Sequence, residues 1–387
     1  MISIGLWAAP GGVGRHSRPE EGSDMNILVV DDSVFMRRSL TKMIESDPDL
    51  RVVDTARDGE DAVEKARLLK PDLITMDVEM PKMDGIEALR KIMATCPTTV
   101  LMVSSLTSKG SREALKAMRL GAADFIAKDA SFVSLNVDSM RDGLIAKIKA
   151  IGPMKKALRV GRSGATPSAP PAATSTPAFG PDQFDLAVIG SSTGGPPVVE
   201  KIAGALPSDL AVPMVVAQHM PGVFTKSLAE RLNIRCAVRV FEAENGMPLR
   251  PGTLYISPGG RQTRVRSTAT SGWFLRVDDN PKDAMYKPSV NVLFASAVRA
   301  AGGRLLATVL TGMGDDGTEG AEEIARAGGV ILTQSAATCI VYGMPKSVDD
   351  AGLSSASLSP EQVCEALATL GSSGKGADQA EPRRRAG

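Results

Sequence analysis

From Asn26 to about Ile151, short apolar runs alternate with amphipathic stretches. The runs at 27–30, 52–55, 73–76, 100–103 and 125–127 have the length of buried strands. Each leads into a segment with helical spacing, such as 34–45 or 85–94. Repeated β and α units of this size predict a parallel sheet with helices on both faces. A second alternation runs from Phe184 to about Leu370, with strand candidates at 186–189, 214–217, 253–256, 305–310 and 330–333. The chain therefore reads as two α/β, doubly wound domains.

Between the two alternations, Ser163 to Pro181 reads SGATPSAPPAATSTPAFGP. Such a stretch has too little apolar surface to offset its ordering entropy, which predicts a linker. The expected division is a disordered leader at 1–24, a first domain at 25–151, a linker at 152–182, a second domain at 183–370 and a disordered tail at 371–387. The leader holds Leu6-Trp7 but lacks a basic start, so it does not read as a signal peptide. Composition adds constraints. Lys plus Arg (45) and Asp plus Glu (44) leave a net charge of +1, which argues against nucleic acid or anionic lipid as a charge-driven partner. Aromatics are only 4%, so the cores must be aliphatic. Four scattered cysteines without a C-x-x-C pair argue against a zinc site or a disulfide framework, and no apolar run is long enough to span a bilayer. A cytoplasmic protein, not inserted in a membrane, is expected.

In a parallel sheet, ligands bind beyond the carboxyl ends of the strands. In the first domain those ends carry Asp31-Asp32, Asp77, Ser104 and Lys128. Three converging carboxylates repel one another unless a cation joins them, and an oxygen-only set favours Mg²⁺. Asp77 could then accept a phosphoryl group as an aspartyl phosphate, with Lys128 neutralising the added oxygens and Ser104 donating to one of them. The plainer alternative makes Asp31-Asp32 a helix cap and Lys128 a solvated lysine. The segments Val29-Val30-Asp31-Asp32-Ser33, Met76-Asp77-Val78-Glu79-Met80-Pro81-Lys82-Met83-Asp84-Gly85 and Phe125-Ile126-Ala127-Lys128 resemble two-component receiver domains. The resemblance implies a flavodoxin-like sheet, Asp77 as phosphoacceptor and Asp31, Asp32 and Asp77 as Mg²⁺ ligands. Lys128 would be the phosphate contact, Ser104 the switch hydroxyl and Phe125 the switch aromatic.

The second domain holds His219, the only histidine outside the leader. It follows the 214–217 strand, while Gly190-Ser191-Ser192-Thr193-Gly194-Gly195 follows 186–189 and Thr311-Gly312-Met313-Gly314-Asp315-Asp316-Gly317 follows 305–310. A serine, an imidazole and a carboxylate thus reach one sheet edge, the set that acyl transfer requires. The glycine turn alone equally suits a phosphate at a helix N-terminus, and Asp315-Asp316-Gly317 alone suits a capped turn. With Gln218-His219-Met220-Pro221 and Tyr342-Gly343-Met344-Pro345, these segments resemble the catalytic domain of the chemotaxis protein-glutamate methylesterases, the CheB family.

That resemblance implies a mostly parallel, Rossmann-like catalytic domain with Ser192 as nucleophile, His219 as base and Asp316 as orienting acid. Ser191, Thr193 and Met313 would neighbour the site, Met313 near the oxyanion. Two departures stand out: Thr333 to Thr338 lacks the acidic residues often found there, and Tyr286-Lys287 replaces a more basic pair, often His-Arg. The implied activity is phosphorylation-activated demethylation of glutamate γ-methyl esters, and deamidation of glutamines, on methyl-accepting chemoreceptors. The implied phosphodonor is a chemotaxis histidine kinase, and the unphosphorylated receiver is expected to cover the catalytic edge. Two other classes stay open on the residues alone: a phospho-dependent receptor-binding module without turnover, and a nucleotide-binding regulator, which the missing G-x-x-x-x-G-K-[ST] lysine disfavours.

Overall fold

A computed structural model describes residues 25–128, 137–152, 176–180, 182–268 and 272–371. The leader at 1–24, nearly all of the tail and most of the linker lie outside the described residues.

The first unit runs β1 (Met25–Val30), α1 (Val34–Ile44), β2 (Leu50–Ala56), α2 (Gly59–Leu69), β3 (Leu73–Asp77), α3 (Gly85–Thr95), β4 (Thr99–Ser105), α4 (Ser108–Arg119), β5 (Asp124–Lys128) and α5 (Val137–Ile151). Its sheet has the order β2-β1-β3-β4-β5 and every pairing is parallel. The strands are apolar on both faces because helices cover both, as a parallel sheet demands. Ser33, Asp58, Asp84 and Thr107 each accept from an amide of the helix they open. Ser33, not Asp31-Asp32, therefore caps α1.

The second unit begins with β6 (Leu186–Ser191), α6 (Gly195–Ala205), β7 (Met214–Gln218), α7 (Gly222–Arg235), β8 (Arg239–Glu242) and β9 (Thr253–Ile256). A hairpin of β10 (Gln262–Thr268) and β11 (Gly272–Asp278) follows, then α8 (Val290–Ala301), β12 (Leu305–Val309), α9 (Thr318–Arg326), β13 (Val330–Gln334), α10 (Met344–Asp350), β14 (Ala356–Leu358) and α11 (Pro360–Ala368). The parallel sheet has the order β14-β13-β12-β6-β7-β9-β8, and the separate hairpin is antiparallel. The expected α/β, doubly wound class holds for both sheets. The end of the expected linker is docked: Phe179 N donates to Thr369 Oγ1 (3.0 Å), and the Phe179 ring meets Phe184 edge-on.

Both sheets reverse strand order beside their first strand, which places a cleft beyond β1 and β3 and another beyond β6 and β12. Gly190 pairs with Val309 and Ser191 with Gln218, so the segments leaving β6, β7 and β12 emerge side by side.

The units also meet each other. Helix α4 packs on α7, with Ser111 Oγ 2.6 Å from Ser227 Oγ in a buried contact. Phe125 at β5 stacks on Phe224 in α7, with centroids 4.2 Å apart and planes at 18°.

Phe294 is fully buried in α8 and lies against Gly320 at the start of α9. Phe294→Ala is expected to destabilise the second unit by about 3–5 kcal/mol, because its space cannot collapse between two helices. Chemical denaturation followed by circular dichroism checks this.

Candidate active site and phosphorylation site

At the edge of the first sheet, ligand oxygens of Asp31, Asp32 and Asp77 all lie within 4.8 Å of one another. Asp31 and Asp77 are buried and Asp32 is exposed. Lys128 bridges the buried pair, its Nζ 2.8 Å from Asp31 Oδ2 and 2.7 Å from Asp77 Oδ2. Burial pushes the Asp77 carboxyl up to about 6, with Asp31 adding to the rise and Lys128 opposing it. Burial also works against the Lys128 charge, but Asp77 and Asp31 outweigh it and raise the ammonium above its ordinary value. A buried carboxylate pair with a single lysine leaves negative charge uncompensated, and the all-oxygen donor set fits a hard divalent cation. Ser104 is fully buried and donates to the Gly110 carbonyl (3.0 Å).

At the second edge, Asp316 is buried and accepts from four donors. Val290 N and Asn291 N donate from the first turn of α8 at 2.7 and 2.9 Å, and the Ser289 hydroxyl donates at 3.0 Å. The fourth is His219 Nε2, 2.8 Å from Oδ2. Burial raises the Asp316 carboxyl, yet the His219 hydrogen bond and charge with the two amides hold it below the usual carboxylate range. An ionised carboxylate only accepts, so Nε2 carries a proton, and in the neutral imidazole Nδ1 then holds the lone pair. Nδ1 is buried and has no hydrogen-bond partner. Asp316 therefore does not cap its own helix; α9 opens on Gly317, at φ 112, without a side-chain cap.

The serine pair separates by exposure. Ser191 is fully buried, and its Oγ lies where a side chain on Gly195 would have to sit. Ser192 is half-buried and leaves the sheet. Its N–H donates to the Thr311 carbonyl (3.1 Å) and its carbonyl accepts from Gln218 Nε2 (2.9 Å). A methyl group on Gly312 would lie 2.8 Å from Ser192 Cβ, so that glycine allows the β12 loop to close on the serine. His219 N donates to the Ser191 carbonyl (2.9 Å), tying the β7 exit to the β6 exit. Ser192, His219 and Asp316 thus occupy neighbouring segments of one edge, with the His219–Asp316 contact made.

Thr193 and Met313 make contacts toward the first unit. Thr193 Oγ1 donates to Asp124 of β5 (2.8 Å, buried), and Asp124 is also paired with Lys147 of α5. Met313 packs against the apolar cluster of Ile27, Val29, Leu144 and Ile148. A cavity of about 490 Å³ lies at this seam, reached by Asp124, Phe125 and Lys147 from one unit and by His219, Gly260 and Tyr286 from the other. The sequence does not single out Gln262, whose amide holds Tyr286 O (2.7 Å) and Ser289 N (2.8 Å) and so fixes the strap ahead of α8. Ser289, which accepts from Val292 N, was legible as a helix cap; Gln262 carries no local signal.

A family model described as response regulator receiver domain matches residues 27–137, and one described as CheB methylesterase matches residues 187–367. A protein-glutamate methylesterase/protein-glutamine glutaminase of Oleidesulfovibrio alaskensis is 46% identical over 363 residues, covering 89% of this chain and 98% of its own. One from Nitratidesulfovibrio vulgaris is 44% identical, covering 85% and 94%. The crystal structure of the Thermotoga maritima CheB methylesterase catalytic domain is 38% identical, with a TM-score of 0.47, and covers 48% of this chain and 98% of its own.

Because burial raises the Asp77 carboxyl above its unfolded value, ionised Asp77 costs stability above about pH 6, and the cost fades as pH falls through that value. Asp77→Asn in EDTA should therefore melt higher than the parent at pH 8, with the gap closing toward pH 5. Thermal denaturation across that range checks the sign.

Proposed function

This chain belongs to the CheB family of protein-glutamate methylesterases/protein-glutamine glutaminases with a response-regulator receiver, and on that premise we propose a Ser192–His219–Asp316 mechanism under phosphorylation control. The observation that carries it is the buried Asp316 carboxylate on His219 Nε2, which leaves a basic Nδ1 at the edge where Ser192 emerges. Nδ1 takes the Ser192 proton as Oγ attacks the γ-carbonyl carbon of a methylated receptor glutamate. The tetrahedral intermediate collapses with loss of the methoxy group, which leaves as methanol with that proton. Water then adds to the acyl-enzyme by the same route, restoring Ser192 and releasing the carboxylate. A glutamine side chain follows the same path with ammonia as the leaving group. Asp316 stays ionised throughout and stabilises the imidazolium. With Nε2 on the carboxylate, Nδ1 would have to serve the nucleophile, the reverse of the usual serine-protease ring orientation.

Asp77 would accept the phosphoryl group from a histidine kinase, and Asp31, Asp32 and Asp77 would hold Mg²⁺. Bound there, the ion would offset charge on the phosphoryl oxygens, and Lys128 already reaches the same point. Release of Ser104 from Gly110 would let its hydroxyl meet the new phosphoryl oxygen. Phe125, two strands from Asp77, is stacked on Phe224, and its neighbour Asp124 holds Thr193 beside the nucleophile. Phosphorylation would therefore act by weakening this seam and shifting the population toward an open catalytic edge. No helix among the described residues is long and apolar enough to cross a membrane, and a cytoplasmic enzyme working on the receptors' cytoplasmic helices fits this reading.

Ser192→Ala should lower methanol release from methylated receptor membranes by at least about 10³-fold while leaving phosphorylation of Asp77 intact. Ser227→Arg, which cannot be accommodated opposite Ser111, should raise unstimulated turnover about 5-fold or more and leave little further response to acetyl phosphate. Unchanged basal turnover in a folded Ser227→Arg protein would count against the seam as the brake.

A further inference from the structure

We propose that Tyr286 is a positioning residue for the His219 imidazole: its ring holds the plane of a histidine that Asp316 anchors at one atom only. The inference rests on the Ser192–His219–Asp316 reading and extends it to a residue outside the triad. The two rings are 4.3 Å apart between centroids and 5° from parallel. A single Nε2–H to Oδ2 bond fixes one end of the imidazole but leaves the ring free to swivel about that bond. Swivelling would move Nδ1, which is buried and has no hydrogen-bond partner, away from the position the proposed mechanism requires of it. A flat aromatic face packed parallel to the ring removes that freedom. It also presents π density to the imidazolium formed when Nδ1 takes the serine proton, in a side chain only 9% exposed.

Tyr286 is itself held firmly enough to act as a wall. Its carbonyl accepts from the buried Gln262 amide, and the same amide holds Ser289 at the start of α8. Its hydroxyl lies against Gly314 in the loop that carries Asp316. The stack, the carboxylate and the strap therefore form one assembly around the imidazole. The ring supplies the effect and the hydroxyl does not, so phenylalanine should substitute where an aliphatic residue should not.

The test uses the full chain. Only His16 and His219 contribute imidazole signals, and the parallel stack should place the His219 ring proton resonances upfield through the tyrosine ring current. Tyr286→Leu should move those signals downfield and lower kcat by about 10-fold to 10²-fold with KM little changed. Tyr286→Phe should restore both the shift and most of kcat. If Tyr286→Leu melts well below the parent, Tyr286→Met at similar length replaces it in the comparison. Tyr286→Leu with kcat within about twofold of the parent would overturn the inference, as would Tyr286→Phe falling as far as Tyr286→Leu. Failure of the underlying triad is read separately: Ser192→Ala would then keep its turnover whatever the Tyr286 variants do.

Discussion

A carboxylate taken out of water must be met by donors, or it protonates and loses its use as a base partner. Asp316 meets this condition through the Ser289 hydroxyl, two amides at the start of α8 and the His219 imidazole. The helix end adds a favourable dipole to the two hydrogen bonds. Because the carboxylate stays charged, it dictates the tautomer of His219, and the tautomer decides which ring nitrogen is basic. Under the proposed mechanism, the direction of proton flow at this edge would follow from how α8 begins.

The two sheets share a plan, and the seam between them joins their reactive edges. Each turns at its first strand and gathers its polar side chains there. At the seam, β5 of the receiver supplies Asp124 to Thr193 and Phe125 to Phe224, so a strand end near Lys128 also touches the turn that carries Ser192. A change in charge at Asp77 need only cross β4 and β5 to reach the hydrolase edge. Val341 of the second unit joins the apolar cluster of the receiver, and Met313 packs against that cluster.

The sequence made the strand ends readable because each is a short polar insertion after an apolar run. That is why Asp31-Asp32, Asp77, His219 and the Asp315-Asp316 pair stand out from periodicity, while the choice of Asp316 within its pair comes from the family resemblance. The edge strand β14 is only three residues long, and β8, RVFE, is charged at both ends, so neither leaves the continuous apolar run that reveals the equally short β9. In β10 the alternation of buried Thr263 and Val265 with arginines is interrupted by no strong turn signal. Ser191 and Ser192 could not be told apart from sequence. The choice depends on how tightly Gly195 and Gln218 close over the first hydroxyl, which is a matter of three-dimensional packing. Contacts such as Tyr286 on His219, or Thr193 on Asp124, join residues far apart in the chain and have no local signature.

The proposed mechanism requires Ser192, and no other serine, to be the activated nucleophile behind a phosphorylation-controlled seam. Labelling with a fluorophosphonate, followed by peptide mass spectrometry with and without acetyl phosphate and Mg²⁺, tests this most directly. The adduct should fall on Ser192, form faster when Asp77 is phosphorylated and disappear on replacement of His219. An adduct on Ser191, or a labelling rate indifferent to both phosphodonor and His219, would contradict the mechanism.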